Sequence, residues 1–146
     1  MTELKNHVPS IAAPGDLYVF DTDTDIAIEW LVTREHPDNP DWILLVPVDD
    51  CFLYQAPDLV LPERVGQPMT VRVGQADWFP KSMFAQSFRV GALPDDIIRQ
   101  VRQQFAYLAR GGEISSTDPG VDPEYEDHMD EIEKARLTLL SRAGAN

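Results

Sequence analysis

The chain has 146 residues, of which 43% are hydrophobic, and its 25 acidic against 12 basic side chains give a formal net charge of −13. A chain of this length can bury a core without disulfides or metal ions. The acidity argues against nucleic acid as a partner, because binding to phosphates depends on lysine and arginine. A membrane span needs about 20 apolar residues in a row, and the chain has no such run. The single cysteine, Cys51, fits a reducing cytoplasm, where we place the protein.

The first third of the chain predicts a leader followed by three strands. Residues 1–14 lack an apolar signal-peptide core. Strands are predicted at about Asp16–Phe20 and, from β-branched and aromatic residues, at Ile26–Thr33. The run Trp42–Val48 is apolar throughout, which indicates a strand at the centre of a sheet.

Further short strands are predicted at residues 59–61, 69–73, 78–79 and 87–91, with proline and glycine between them. Many short strands separated in this way indicate a barrel rather than a parallel sheet. The predicted fold class is therefore α+β, a small and mostly antiparallel β-barrel of five to seven strands with a packed helix.

Two amphipathic helices follow the strands. The first is predicted at Pro94–Arg110, with proline and two aspartates suited to its first turn. It completes a domain of residues 15–112, and residues 113–121 form a linker. The second helix, residues 122–144, carries an apolar stripe that includes Tyr125, Met129 and Ile132. This acidic helix either packs on its own barrel or awaits a partner.

The sequence predicts no metal site and no cofactor. The alternating aspartates of residues 21–25 lack the glycine and the final glutamate of a calcium loop. His7, His36 and His128 are not spaced for zinc, and Cys51 has no second cysteine beside it. Phosphate-binding glycine loops and the common hydrolase motifs are also missing from the sequence.

Three short motifs occur in the order found in one family of toxins. Gly15-Asp16-Leu17-Tyr18 opens the first strand, an apolar run leads through Pro47 and Val48 to Asp49, and Gln75 and Lys81 precede Gly91-Ala92-Leu93. From residue 14 to residue 108 the chain resembles the MazF/PemK toxins, which are related to the gyrase poison CcdB. The resemblance implies a barrel of the Src-homology-3 type.

The resemblance also implies where catalytic residues would stand, and these positions differ. Family ribonucleases use an arginine before the second strand and a threonine after the third-strand proline. Here Ala27 occupies the first place and Asp49 the second. Alanine cannot stabilise the negative charge that develops on a phosphate, and a carboxylate repels it. We therefore expect a divergent member that lacks the catalytic pair.

We expect a protein-interaction module without enzymatic activity, which associates with itself or with another protein. Tyr125, Met129 and Ile132 are the candidate binding residues. The alternative is an endoribonuclease or growth-inhibiting toxin with rearranged residues, in which Asp49 is a general base. Arg72 or Lys81 would then supply the cation, or else Arg34 or Arg64. A basic groove around Asp49 would favour the hypothesis of an enzyme. An acidic groove would favour the hypothesis of an interaction module.

Overall fold

The computed structural model describes residues 13–22, 26–51, 54, 58–64, 67–110 and 123–145. Most of the predicted leader and all of the predicted linker therefore lie outside the described residues. The described chain forms seven strands and two α-helices: β1 (Asp16–Phe20), β2 (Glu29–Glu35), β3 (Trp42–Asp49), β4 (Leu59–Arg64), β5 (Gln67–Val71), β6 (Asp77–Pro80), β7 (Ser87–Ala92), α1 (Asp95–Ala109) and α2 (Pro123–Ala145). In this part of the chain, neither helix combines the length and the apolarity needed to cross a membrane.

The strands form one antiparallel sheet in the order β4-β5-β3-β2-β1-β7, and β6 pairs with β3 beside this path. The predicted α+β class with a mostly antiparallel sheet is confirmed. Closure into a Src-homology-3 barrel stays a prediction, because β4 and β7 stand at the two ends of the strand order. Several predicted boundaries shift: β2 spans Glu29–Glu35 rather than Ile26–Thr33, β4 continues to Arg64, β5 begins at Gln67, and Val73 lies in a short 3-10 turn after β5.

The strand β3 lies at the centre of the sheet and changes partner along its length. Residues 42–45 pair with β6, whereas Val48 and Asp49 pair with β5. Pro47 lies in the gap between these two pairings, so its missing N–H interrupts neither of them. Its carbonyl still accepts a hydrogen bond from the backbone N–H of Arg72, at 2.8 Å. This exchange of partners brings the end of β5 against the end of β3.

Both faces of the central strands are covered, which explains the uninterrupted apolar run of β3. Alternate side chains of a strand point to opposite faces. One set packs with α1 around Val101: Leu17, Leu31, Val46, Val48 and Val71. The other set packs with α2 around Ile132, Ala135 and Leu139: Tyr18, Trp30, Val32, Ile43, Leu45 and Phe79.

Gly15 gives the first sequence motif a structural role. Its φ of 100° lies in the region that favours glycine. Its backbone N–H donates to the carbonyl of Val32 and its carbonyl accepts from the N–H of Leu93, both at 2.8 Å. A Cβ atom here would lie 3.0 Å from the carbonyl oxygen of Leu93. Glycine therefore lets the start of β1 join β2 to the segment that begins α1.

The fold predicts that Val101→Asp will abolish cooperative folding. Val101 is fully buried between α1 and the sheet, and a carboxylate there would lack a partner, at a cost of about 3 kcal/mol or more. The matched control is Gln103→Asp, at an exposed position of the same helix, which should cost less than about 1 kcal/mol. Urea unfolding followed by circular dichroism measures both. Equal stability of the two variants would contradict the packing of α1.

Candidate functional site

The most unusual group in the structure is the guanidinium of Arg72, which has no exposed surface. Its Nε donates to Asp49 Oδ2 and its Nη2 to Asp49 Oδ1, each at 2.8 Å. Its Nη1 donates to Asp58 Oδ2, also at 2.8 Å. The contact with Asp49 is the paired geometry that guanidinium and carboxylate groups favour. Arg72 is thus held between two carboxylates whose side chains are themselves 1% exposed.

The strand pairing brings these three side chains together. Asp49 is the last residue of β3 and lies opposite Thr70 of β5, two residues before Arg72. Asp58 comes directly before β4, the neighbour of β5. The segment after β3 closes the cluster: the Cys51 N–H donates to Asp49 Oδ1 at 2.9 Å, and the Cys51 carbonyl accepts from Thr70 Oγ1 at 3.0 Å. A further donor to that carbonyl is Arg72 Nη2, at 3.2 Å.

The charges of the cluster hold Arg72 in its cationic form. Burial by itself lowers the pKa of a guanidinium, but the hydrogen bonds and negative charge of Asp49 and Asp58 outweigh this, so that the pKa of Arg72 is raised. Two carboxylates face one guanidinium, which leaves one negative charge in excess among these three groups. A buried charge without compensation lowers the stability of the folded state. Other polar groups that contact the cluster therefore contribute to its stability.

Helix α2 supplies two polar side chains to this cluster. The Tyr125 hydroxyl donates to Asp58 Oδ2 at 2.8 Å, and its ring centroid lies 5.9 Å from Arg72 Cζ. Burial, followed by the hydrogen bond to Asp58, raises the pKa of Tyr125, so the hydroxyl remains a donor. One turn further along, His128 Nε2 lies 3.0 Å from Asp49 Oδ1.

Of the residues predicted for a rearranged active site, the structure brings Asp49 and Arg72 together and places Lys81 elsewhere. The N–H of Lys81 donates to the carbonyl of Asp41, beside the first residue of β3, whereas Asp49 is the last. At about 3.3 Å per residue, the two ends of this strand are roughly 20 Å apart. The Lys81 ammonium instead pairs with Glu35, at 2.6 Å.

The predicted binding residues Tyr125, Met129 and Ile132 all face the chain's own sheet. Ile132 is fully buried, and Met129 is half-buried against the same apolar cluster. Burial of each aliphatic side chain contributes about 1.5–3 kcal/mol to the free energy of folding. This burial stabilises a helix that would be only marginally stable by itself in water. The sequence left open whether α2 packs on its own domain or awaits a partner, and the structure shows that it packs on its own domain. That a partner uses these residues stays a prediction.

Sequence reasoning missed Asp58 and His128. His128 follows Tyr125 by three residues and precedes Ile132 by four, so the helical period places all three on one face. That spacing could have marked the histidine as an inward-facing group. Asp58 carried no comparable signal, because it lies between a proline and a short strand without any motif around it.

Replacing Arg72 with methionine should destabilise the protein by about 3–5 kcal/mol, because Asp49 and Asp58 would remain buried without their cation. The control is Lys81→Met, which breaks an ion pair whose side chains are 28% and 56% exposed and should cost less than about 1 kcal/mol. Chemical denaturation gives both values. A loss for Arg72→Met as small as that for Lys81→Met would show that the buried cluster does not support the fold.

Comparison with models of protein families gives no match, and neither curated proteins nor solved structures match the chain. The resemblance to the MazF/PemK toxins therefore rests on the sequence motifs alone and stays a prediction.

Proposed function

We propose that this protein is a non-catalytic, toxin-like barrel that serves as an interaction module and associates with a second copy of itself through strand β7. The observation that carries the proposal is the exposure of two apolar side chains on this strand. Phe88 is 74% exposed and Val90 52% exposed. Phe88 pairs with Val19, whereas Val90 lies at the bulge between Arg89 and Gly91, where the register of β7 with β1 shifts. Adjacent exposed apolar side chains of this kind favour a contact surface.

The position of β7 in the sheet supports the same surface. Among the described strands β7 pairs with β1 alone, so its other edge offers backbone donors and acceptors to a further strand. The opposite end of the sheet is β4, which contains Pro62 and therefore lacks one backbone donor. A second β7 strand, running antiparallel across a two-fold axis, would continue the sheet from one subunit into the next.

The charge of β7 favours a second copy. The chain carries a net charge of −13, but Ser87–Ala92 contains no acidic residue and one basic residue, Arg89. If Val90 faces its own copy across the axis, Arg89 lies opposite Gly91 and Phe88 opposite Ala92. This register keeps the two arginines apart and sets the two Val90 side chains against each other. Arg89 also has a partner within its own chain, Asp16, at 3.1 Å.

The candidate active-site groups support a protein that does not cut RNA. Cleavage of a phosphodiester needs a base and an accessible cation close together. Arg72 is the cation beside Asp49, but it is buried and its hydrogen bonds go to two carboxylates and a carbonyl. Lys81, at the far end of β3, pairs with Glu35. Asp49 thus has no accessible cation among these two candidates.

We expect the full chain to be a dimer by analytical ultracentrifugation and Val90→Asp to be a monomer. The substitution would set two carboxylates against each other across the axis, where like charges oppose pairing. Leu137→Asp is the matched control, because Leu137 is 50% exposed but lies on α2, and this variant should stay dimeric. A monomeric wild-type chain, or a dimeric Val90→Asp variant, would refute association through β7.

Long RNA of mixed sequence should remain intact when incubated with the protein at low salt, where electrostatic binding is strongest. The variant for comparison is Lys81→Ala, which removes a partly exposed cation without touching the buried cluster. RNA fragments that form with the wild-type chain and disappear with Lys81→Ala would establish the alternative enzyme. Gel electrophoresis of the RNA is sufficient to decide.

A further inference from the structure

We propose that Asp49, Cys51 and His128 form a binding site for a zinc ion. The three residues come from the end of β3, from the segment that follows it and from α2. They offer one carboxylate oxygen, one sulfur and one imidazole nitrogen, which are the donor types found in zinc sites. The inference is independent of the proposed self-association, since β7 contributes none of these ligands.

The separation of the donor atoms is compatible with one ion. The three ligand atoms all lie within 4.8 Å of one another. Zinc binds such atoms at about 2.0–2.3 Å, so ligands on one tetrahedral ion are about 3.3–3.8 Å apart. The side chains would therefore have to close by only about 1 Å. Asp49 is buried, whereas Cys51 and His128 are half-buried, which leaves a path by which the ion can reach the site.

The orientation of His128 provides a second, independent observation. Its Nε2 is buried and lies 3.0 Å from Asp49 Oδ1, yet it makes no hydrogen bond within the described residues. At this distance a hydrogen bond fails when the ring does not aim an N–H at the oxygen, or when Nε2 is the ring nitrogen without a proton. A zinc ion binds a ring nitrogen without a proton, so it would take the place of the missing hydrogen bond between the two atoms. Their 3.0 Å spacing is about 0.3 Å below that of two ligands on a tetrahedral ion, so the two atoms would separate slightly when zinc binds.

The charge of the cluster favours a divalent cation. Asp49 and Asp58 carry two negative charges against the single positive charge of Arg72. When zinc binds, the Cys51 thiol loses its proton to solvent and a sulfur–zinc bond forms. Two carboxylates and one thiolate then exceed the guanidinium by two negative charges, which the ion neutralises. Among these four groups the ion therefore restores the balance of charge.

The surrounding contacts hold the ligands in place. Arg72 fixes both oxygens of Asp49, and the Cys51 N–H donates to Oδ1 of the same carboxylate. The hydrogen bond to Oδ2 lies behind the ligating oxygen and orients it, while Oδ1 would hold the ion beside the two N–H groups from which it accepts. Because His128 lies on α2 while the other two ligands belong to the sheet region, the ion would join α2 to the sheet. Three protein ligands leave a fourth position for water or for a small ligand.

Cobalt is the probe that tests the site, since Co²⁺ takes the place of zinc in tetrahedral sites and a cobalt–thiolate bond produces a charge-transfer band in the near ultraviolet. The reduced full chain, without an affinity tag, is titrated with Co²⁺ under anaerobic conditions. We expect the band to saturate at one equivalent and to disappear when Zn²⁺ is added. Cys51→Ser should lose the band, and His128→Asn should weaken binding by at least tenfold.

His36→Asn is the matched control, because His36 belongs to the loop between β2 and β3 and not to the cluster. It should bind cobalt as the wild-type chain does. Circular dichroism shows that each variant is folded, and thermal unfolding adds a second readout: Zn²⁺ should raise the Tm of the wild-type chain and of His36→Asn, but not of Cys51→Ser. The proposal is overturned if the wild-type chain gives no charge-transfer band, or if His128→Asn binds cobalt as tightly as His36→Asn.

Discussion

The buried pair of Arg72 and Asp49 constrains the rest of the structure. A guanidinium without solvent must find acceptors for its N–H groups inside the protein, and here they come from three places in the sequence: the end of β3, the segment that follows it and the residue before β4. Satisfying them requires β3 to end beside β5, which in turn requires the change of partner at Pro47. The sheet order and the polar cluster thus depend on each other.

The elements that the sequence predicted well are those whose pattern reports burial directly. The apolar run of β3 indicated a central strand because both of its faces are covered, by α1 on one side and α2 on the other. The first helix was predicted to be amphipathic, and on one of its faces Ile98 and Val101 are buried and Phe105 is half-buried. In each case the period of the apolar side chains carries the information, and that period is fixed by local backbone geometry.

The polar cluster could not be predicted in the same way, because its members are distant in sequence and meet only after the strands have paired. Asp49 and Arg72 were each considered as active-site residues, but nothing in the sequence indicated that they bond to each other. Their contact changes their chemistry: a carboxylate and a guanidinium bound in this way are partners in a structural contact and not two groups free to act on a substrate. For the two members that belong to α2, Tyr125 and His128, the helical face that they share was the available signal.

The position of α2 in the sequence has a consequence for how the protein comes to be folded during its synthesis. The face of the sheet that contains Trp30, Leu45 and Phe79 is completed by Ile132 and Leu139, which leave the ribosome only after every strand has been made. Until then this apolar face lacks the cover that α2 provides, and Arg72 and its carboxylates lack the contacts of Tyr125 and His128. A nascent chain of this protein is thus prone to aggregate, and open to binding by chaperones, until α2 has been synthesised and has packed on the sheet.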